Sequence, residues 1–202
     1  MSKKKSTNKT PYLSPENYIR QRSKNLPISE CFINPDWEEN KMCRIIITRK
    51  HVTGTVTCCI YLVDLSLLGV KDTFFRFNIS LDELRDMLGK HDTQFVTISY
   101  ELAHNIIYAA VEFADKYEFK PHKNFTSTTM HFLEDDNDDV PLIDIKCGDD
   151  DGKPLYINTG FDSPAREKAI IAQLDRTAGE GNYHFMMPGS DDMYYGDYED
   201  EE

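Results

Sequence analysis

"CRIIITRKHVTGTVTCCIYLVDLSLLGVKDTFFRFNI", residues 43–79, decides the fold. Segments 43–50, 55–64 and 70–79 are β-branched and aromatic and lack strong helix-forming patterns, so each predicts a strand. "HVTG" places Gly54 in a turn between the first two, and Gly69 permits a tight or close-packed backbone between the second and third. An antiparallel three-strand meander follows. The second link, "LSLLG", is too apolar for an ordinary surface turn.

This apolar run also carries Asp64, Lys71 and Asp72. Side chains alternate along a strand, so Tyr61, Val63 and Leu65 point one way, and Leu62 and Asp64 the other. In a functional reading, Asp64 and Asp72 meet at one sheet end as a metal or acid/base pair, with Lys71 as electrostatic partner. Mg²⁺, a small hard ion that prefers oxygen, is the metal such a pair would hold. In the plainer reading, Lys71 and Asp72 face solvent while Asp64 bonds turn amides.

Working outward, residues 15–24 predict a helix capped by Ser14 and opened by Pro15, ended by "NLPI", with an irregular connection over 29–42. "SLDELRDMLGK" (80–90) is a helix with a Ser80/Glu83 capping box, and "TQFVTI" (93–98) a short strand. A long helix runs from Ser99 to Tyr117. "PLIDIKCG" and "KPLYINTG" flank "DDDG" and predict a second hairpin, before a helix over 162–179 and an edge strand in "NYHFMMP". The fold class is therefore α+β: an antiparallel three-strand meander, two helices, a second β-hairpin and a C-terminal helix. Residues 11–188 form a single domain between a flexible basic arm (1–10) and a disordered acidic tail (189–202).

The long helix gathers Glu101, His104, Tyr108, Glu112 and Asp115 in one sector. A histidine beside carboxylates can act as a general acid or base, whereas a solvated polar face would look the same in sequence. Just beyond, Lys120, His122 and Lys123 offer a candidate anion site, although a helix C-terminus opposes anions and commonly carries bases.

The net charge is −12, with Lys3, Lys4, Lys5 and Lys9 at one end and seven acids in residues 189–202 at the other. Nucleic-acid binding gets little support from so acidic a chain. No apolar stretch follows the basic start, and the run from Cys58 to Val70 is too short to span a bilayer. Five cysteines without C-x-x-C fit reduced thiols, and a cytoplasmic location without membrane attachment is expected. "EDDNDD" is not a calcium loop, since Val140 stands where glycine is needed and Lys146 where a bidentate glutamate is needed. Glycine-rich phosphate loops, G-x-S-x-G and H-E-x-x-H are absent.

From about Leu26 to Met187 the chain resembles a family of uncharacterised bacterial proteins, found among other places in gut Bacteroidetes. "LPISECFINPDWEE", "ITRKHVTG", "YLVDLSLLGVKDTFFRFN", "SYELAHNIIYAAVEFA" and "FKPHKNF" carry the resemblance. It implies a single bacterial domain and brings no activity with it. Two function classes stand. The first is a binding or regulatory module that uses its surface and charged termini to hold a protein partner, with no cofactor required. The second is a metal-assisted hydrolase of phosphate esters or nucleic acid, using Asp64, Asp72, His104, Glu101 or Lys71, and Mg²⁺. The binding module is the expectation carried forward.

Overall fold

The computed structural model describes residues 13–89, 94–137, 139–158, 160, 162–186 and 194–195. Helix α1 (Pro15–Arg22) opens as expected, with the Ser14 hydroxyl accepting the Asn17 N–H. Strand β1 (Ile28–Ile33) and a short helix α2 (Trp37–Asn40) lead into β2 (Met42–Lys50), β3 (Val56–Asp64) and β4 (Gly69–Ile79). Helix α3 (Leu81–Gly89) and strand β5 (Val96–Ile98) precede the long helix α4 (Tyr100–Lys116) and a short α5 (Lys123–Ser127). Strand β6 (Leu155–Ile157), helix α6 (Pro164–Thr177), β7 (His184–Met186) and β8 (Tyr194–Tyr195) complete the chain.

The expected meander is present within a larger five-stranded antiparallel sheet, in the order β4-β3-β2-β1-β5. Period-2 alternation divides its side chains between two cores. Cys43, Ile45, Ile47, Cys59, Tyr61 and Val63 face α4, and pack against Ile106, Ala110 and the helix-borne Phe125. Phe32, Ile46, Cys58 and Ile60 face the other way, toward Met87 and Leu88 of α3 and Phe95. Each large apolar side chain fully removed from water adds about 1.5–3 kcal/mol, so the α4 side is the dominant stabilising contact. Adjacent Cys58 and Cys59 therefore lie on opposite faces, as alternation requires. Among the described residues no helix is long and apolar enough to cross a membrane.

Three features differ from the sequence expectations. The connection over 29–42 contains β1, which is central in the sheet because β5 returns to pair with it, Cys31 opposite Ile98. The second hairpin does not form. Its turn does, with Asp149 accepting amides of Asp151 and Lys153, but the flanks diverge onto the β3–β4 link, Gly148 N–H to Leu65 carbonyl and Leu155 N–H to Ser66 carbonyl. β6 instead pairs in parallel with β7, and β7 is central between β6 and β8 rather than at an edge. The expectations for residues 1–10 lie outside the described residues, as do those for 189–202 apart from β8.

The apolar "LSLLG" link now has its reason. Leu67 and Leu68 project into a second core with Tyr156, Ile170, Leu174, Tyr183 and Phe185. The turn is a plug between two packed units, which is why it carries leucines where a surface turn would carry polar residues.

Candidate functional site

Asp64 ends β3 buried, and its Oδ1 accepts the N–H groups of Ser66 (2.8 Å) and Leu67 (3.2 Å). Burial raises the pKa of its carboxyl, an effect the Lys71 charge and the turn amides oppose. The carboxylate thus shapes the plugged turn, and Lys71, half-buried at a register shift, supplies the nearby positive charge. Asp64→Ala is expected to cost about 1–3 kcal/mol in urea unfolding, because it orphans buried amides, whereas Asp64→Asn retains an acceptor and stays within about 1 kcal/mol of the parent. The folded chain keeps the Asp64 proton to higher pH than the unfolded chain does. Stability from this group therefore falls as pH rises from 3.8 to the raised value and is level above it, a slope that Asp64→Asn removes.

Asp72 is exposed on the outer sheet face, where its Oδ1 lies 3.9 Å from His122 Nδ1 and accepts the Thr73 N–H. His122 caps α5 with that same Nδ1, which accepts the Asn124 N–H, and its own N–H donates to the Val70 carbonyl. Lys120 turns back to the Asp115 carboxylate, and Lys123 is exposed at the start of α5. The structure thus brings Asp72 and His122 together, a pairing that the sequence did not signal.

His104 is buried on α4, with its ring between those of Tyr100 (5.7 Å) and Tyr108 (4.6 Å), and its Nε2–H donates to the Glu134 carbonyl at 3.2 Å. The Tyr100 hydroxyl accepts the Glu134 N–H (2.7 Å). This sector of α4 is therefore a clamp on residue 134 rather than a solvated face. Half-buried Glu101 contributes its carbonyl to Asn105. His104, on the α4 side, and Asp72, on the outer face, are on opposite sides of the sheet, and the hydrolase constellation is not assembled. Among the described residues no group of three or more His, Cys, Asp or Glu is placed to hold a metal ion.

What α4 does build is a groove. Buried Asn105 donates to the Pro141 carbonyl (3.0 Å) and accepts the Ile143 N–H (3.0 Å), fastening the extended segment 141–147 along the helix. Ile145 packs against the main core and Ile143 is half-buried, while Leu142 is 92% exposed. The groove so formed has a volume of about 540 Å³. Tyr108, Phe113 and Ile143 give it apolar walls, and among the described residues Glu112, Asp136 and Asp144 line it with carboxylates against the single cation Lys116. Burial first, then the negative charges of Asp136 and Asp135, push the Tyr108 hydroxyl up. Cys147, also in the wall, is raised to about 11 by burial, which makes it a poor nucleophile.

Comparisons with protein-family models, curated proteins and solved structures find no match. The groove therefore stands on its own chemistry. Sequence reasoning reached Tyr108 and Glu112 through helical spacing but missed Asn105 on the same helix, and Asp136 and Asp144, which arrive from a distant segment.

Proposed function

We propose that this domain is a binding module whose α4 groove takes a basic segment, with apolar side chains, from a partner protein. The observation that carries the reading is the groove's composition: apolar walls and, among the described residues, three carboxylates and one lysine around about 540 Å³. Carboxylates around an apolar cleft favour lysine or arginine stems that lay their methylenes on the walls and their charges at the rim. Helix-in-groove recognition supplies such a pattern, with anchors at i, i+3 and i+4. The net charge of −12 adds long-range attraction for a cationic partner.

A fluorescein-labelled synthetic peptide with lysine and leucine at helical spacing tests this by anisotropy. Wild-type protein is expected to bind it more tightly than a glutamate/leucine counterpart, with affinity falling as salt rises. The double substitution Glu112→Lys and Asp144→Lys is expected to weaken binding by about tenfold or more. Glu16→Lys with Asp86→Lys changes net charge equally at exposed sites on other helices, and is expected to leave affinity within about twofold. Equal losses in the two doubles, or no discrimination between peptides, would refute the reading.

A further inference from the structure

Among the described residues, one edge of the sheet is left without a further strand. β4 is the terminal strand, 11 residues long, whereas the opposite edge is the three-residue β5. Register shifts against β3 interrupt β4 at both ends, leaving one unbroken ladder from Asp72, opposite Leu62, to Arg76, opposite Cys58. Asn78, at φ 55°, turns the strand beyond one end, and the His122 N–H occupies the Val70 carbonyl beyond the other. The stretch left for pairing is therefore Asp72–Arg76, with Phe74 in the middle; within the single chain its Thr73 N–H is held by the Asp72 carboxylate, a bond that pairing with a second strand must exchange.

Asp72, Phe74 and Arg76 alternate on the outer face, and all three are exposed, Phe74 to 47%. Arg76 makes no ion pair among the described residues. A strand that pairs with itself in antiparallel about a twofold axis at Phe74 sets Phe74 against Phe74 and Asp72 against Arg76 twice. Shifting the axis to Asp72 or Arg76 sets like charges face to face, and axes at Thr73 or Phe75 leave both charges without an opposite partner. One register satisfies the whole ladder, and it is the register centred between the two irregularities.

We propose that two copies of this chain join through β4 in that register, extending their sheets into one continuous sheet. Cross-strand aromatic and opposite-charge pairs are the units that stabilise such a ladder, and self-complementarity is what a twofold interface demands. The pairing is short, so the dimer is a weak, concentration-dependent one. It uses the edge and outer face, leaves the α4 groove open, and stands or falls independently of the groove's ligand.

Sedimentation of the full chain from about 10 µM to about 1 mM tests this, with mass expected to rise from 23.4 kDa toward twice that value. Asp72→Arg and Arg76→Asp each put like charges opposite one another, and each is expected to remain a monomer with an unchanged circular-dichroism spectrum. An equimolar mixture of the two pairs arginine with aspartate at both positions, and is expected to recover the dimer. The double swap Asp72→Arg/Arg76→Asp is expected to dimerise like wild type. A constant monomer mass for wild type overturns the proposal, and shows the two charges to be guards against edge pairing. Dimers that persist in both single variants, or a folded mixture that stays monomeric, overturn it equally.

Discussion

Arg49→Met is expected to lower the free energy of unfolding by about 3–5 kcal/mol in a urea titration, with little change in the denaturant slope. The Arg49 side chain is 2% exposed at the end of β2. Its Nε donates to the Phe132 carbonyl (3.1 Å), one terminal nitrogen to the carbonyls of Leu26 (2.7 Å) and Lys24 (3.4 Å), and the other to Glu134 Oε1 (2.6 Å). The guanidinium also lies 5.4 Å from the centre of the Phe132 ring. One planar fork thus ties the exit of α1, the sheet and the segment after α5. Methionine fills the volume but leaves buried carbonyls without donors, and that is the main cost. Arg49→Lys recovers only part of it, since an ammonium cannot reach divergent acceptors with a fixed fork. Glu134→Gln is expected to cost about 1 kcal/mol or less, because Glu134 is 41% exposed and the carbonyl bonds survive. If Arg49→Met costs no more than Glu134→Gln, the carbonyl bonds contribute nothing, and the fork is not what holds these segments. The same change bears on the groove. Residue 134 is held from one side by Arg49 and from the other by Tyr100 and His104, and Asp136 follows two residues later.

Arg49 also marks how far the sequence could be read. In "CRIIITRK" the alternation that sets Cys43, Ile45 and Ile47 on one face carries Arg49 onto the same face, but the opposite face, with Ile46 and Thr48, is buried too, so period 2 places the side chain without marking it as special. What the pattern cannot supply is the set of carbonyls, which come from distant segments. The same division runs through the fold. The meander and the capped helices α1, α3, α4 and α6 follow from local propensity, turn residues and caps. β1 was hidden because Pro27 and Pro35 bracket it and Ser29 and Glu30 read as loop, while its second partner β5 lies beyond three other strands. Around Asp149 the turn chemistry was local and correct, but the flanks found non-local partners on the β3–β4 link. For the site, helical spacing put His104 and Tyr108 together. It could not show that their sector would be covered by residue 134, nor that Asn105 would fasten a segment 36 to 38 residues downstream. The charges within the apolar run resolve in the same way. Asp64 caps a buried turn, a role its position at the strand end allowed, while Asp72 belongs to the exposed edge.

Gly69→Ala is expected to destabilise the protein by about 2–4 kcal/mol, through two separable causes. Gly69 adopts φ +66°, in the left-handed region where a Cβ crowds the following carbonyl. A methyl there would also meet the Ala110 carbonyl oxygen and the Ala114 Cβ, each at 3.1 Å. Both belong to α4, so relief requires the helix to lift from the start of β4, opening the main core along Val70 and Ala110. Gly54 separates the two contributions. It has φ +89° and open space where a methyl would stand, so Gly54→Ala carries the backbone strain alone, about 1 kcal/mol. The difference between the variants in urea unfolding measures the close approach of strand and helix. Equal losses would mean that α4 yields freely at Gly69, and that the helix is not seated on β4 through this glycine. A larger loss at Gly69 ties the apolar turn that Leu67 and Leu68 plug to the helix that carries the groove, since Gly69 ends the one and packs against the other.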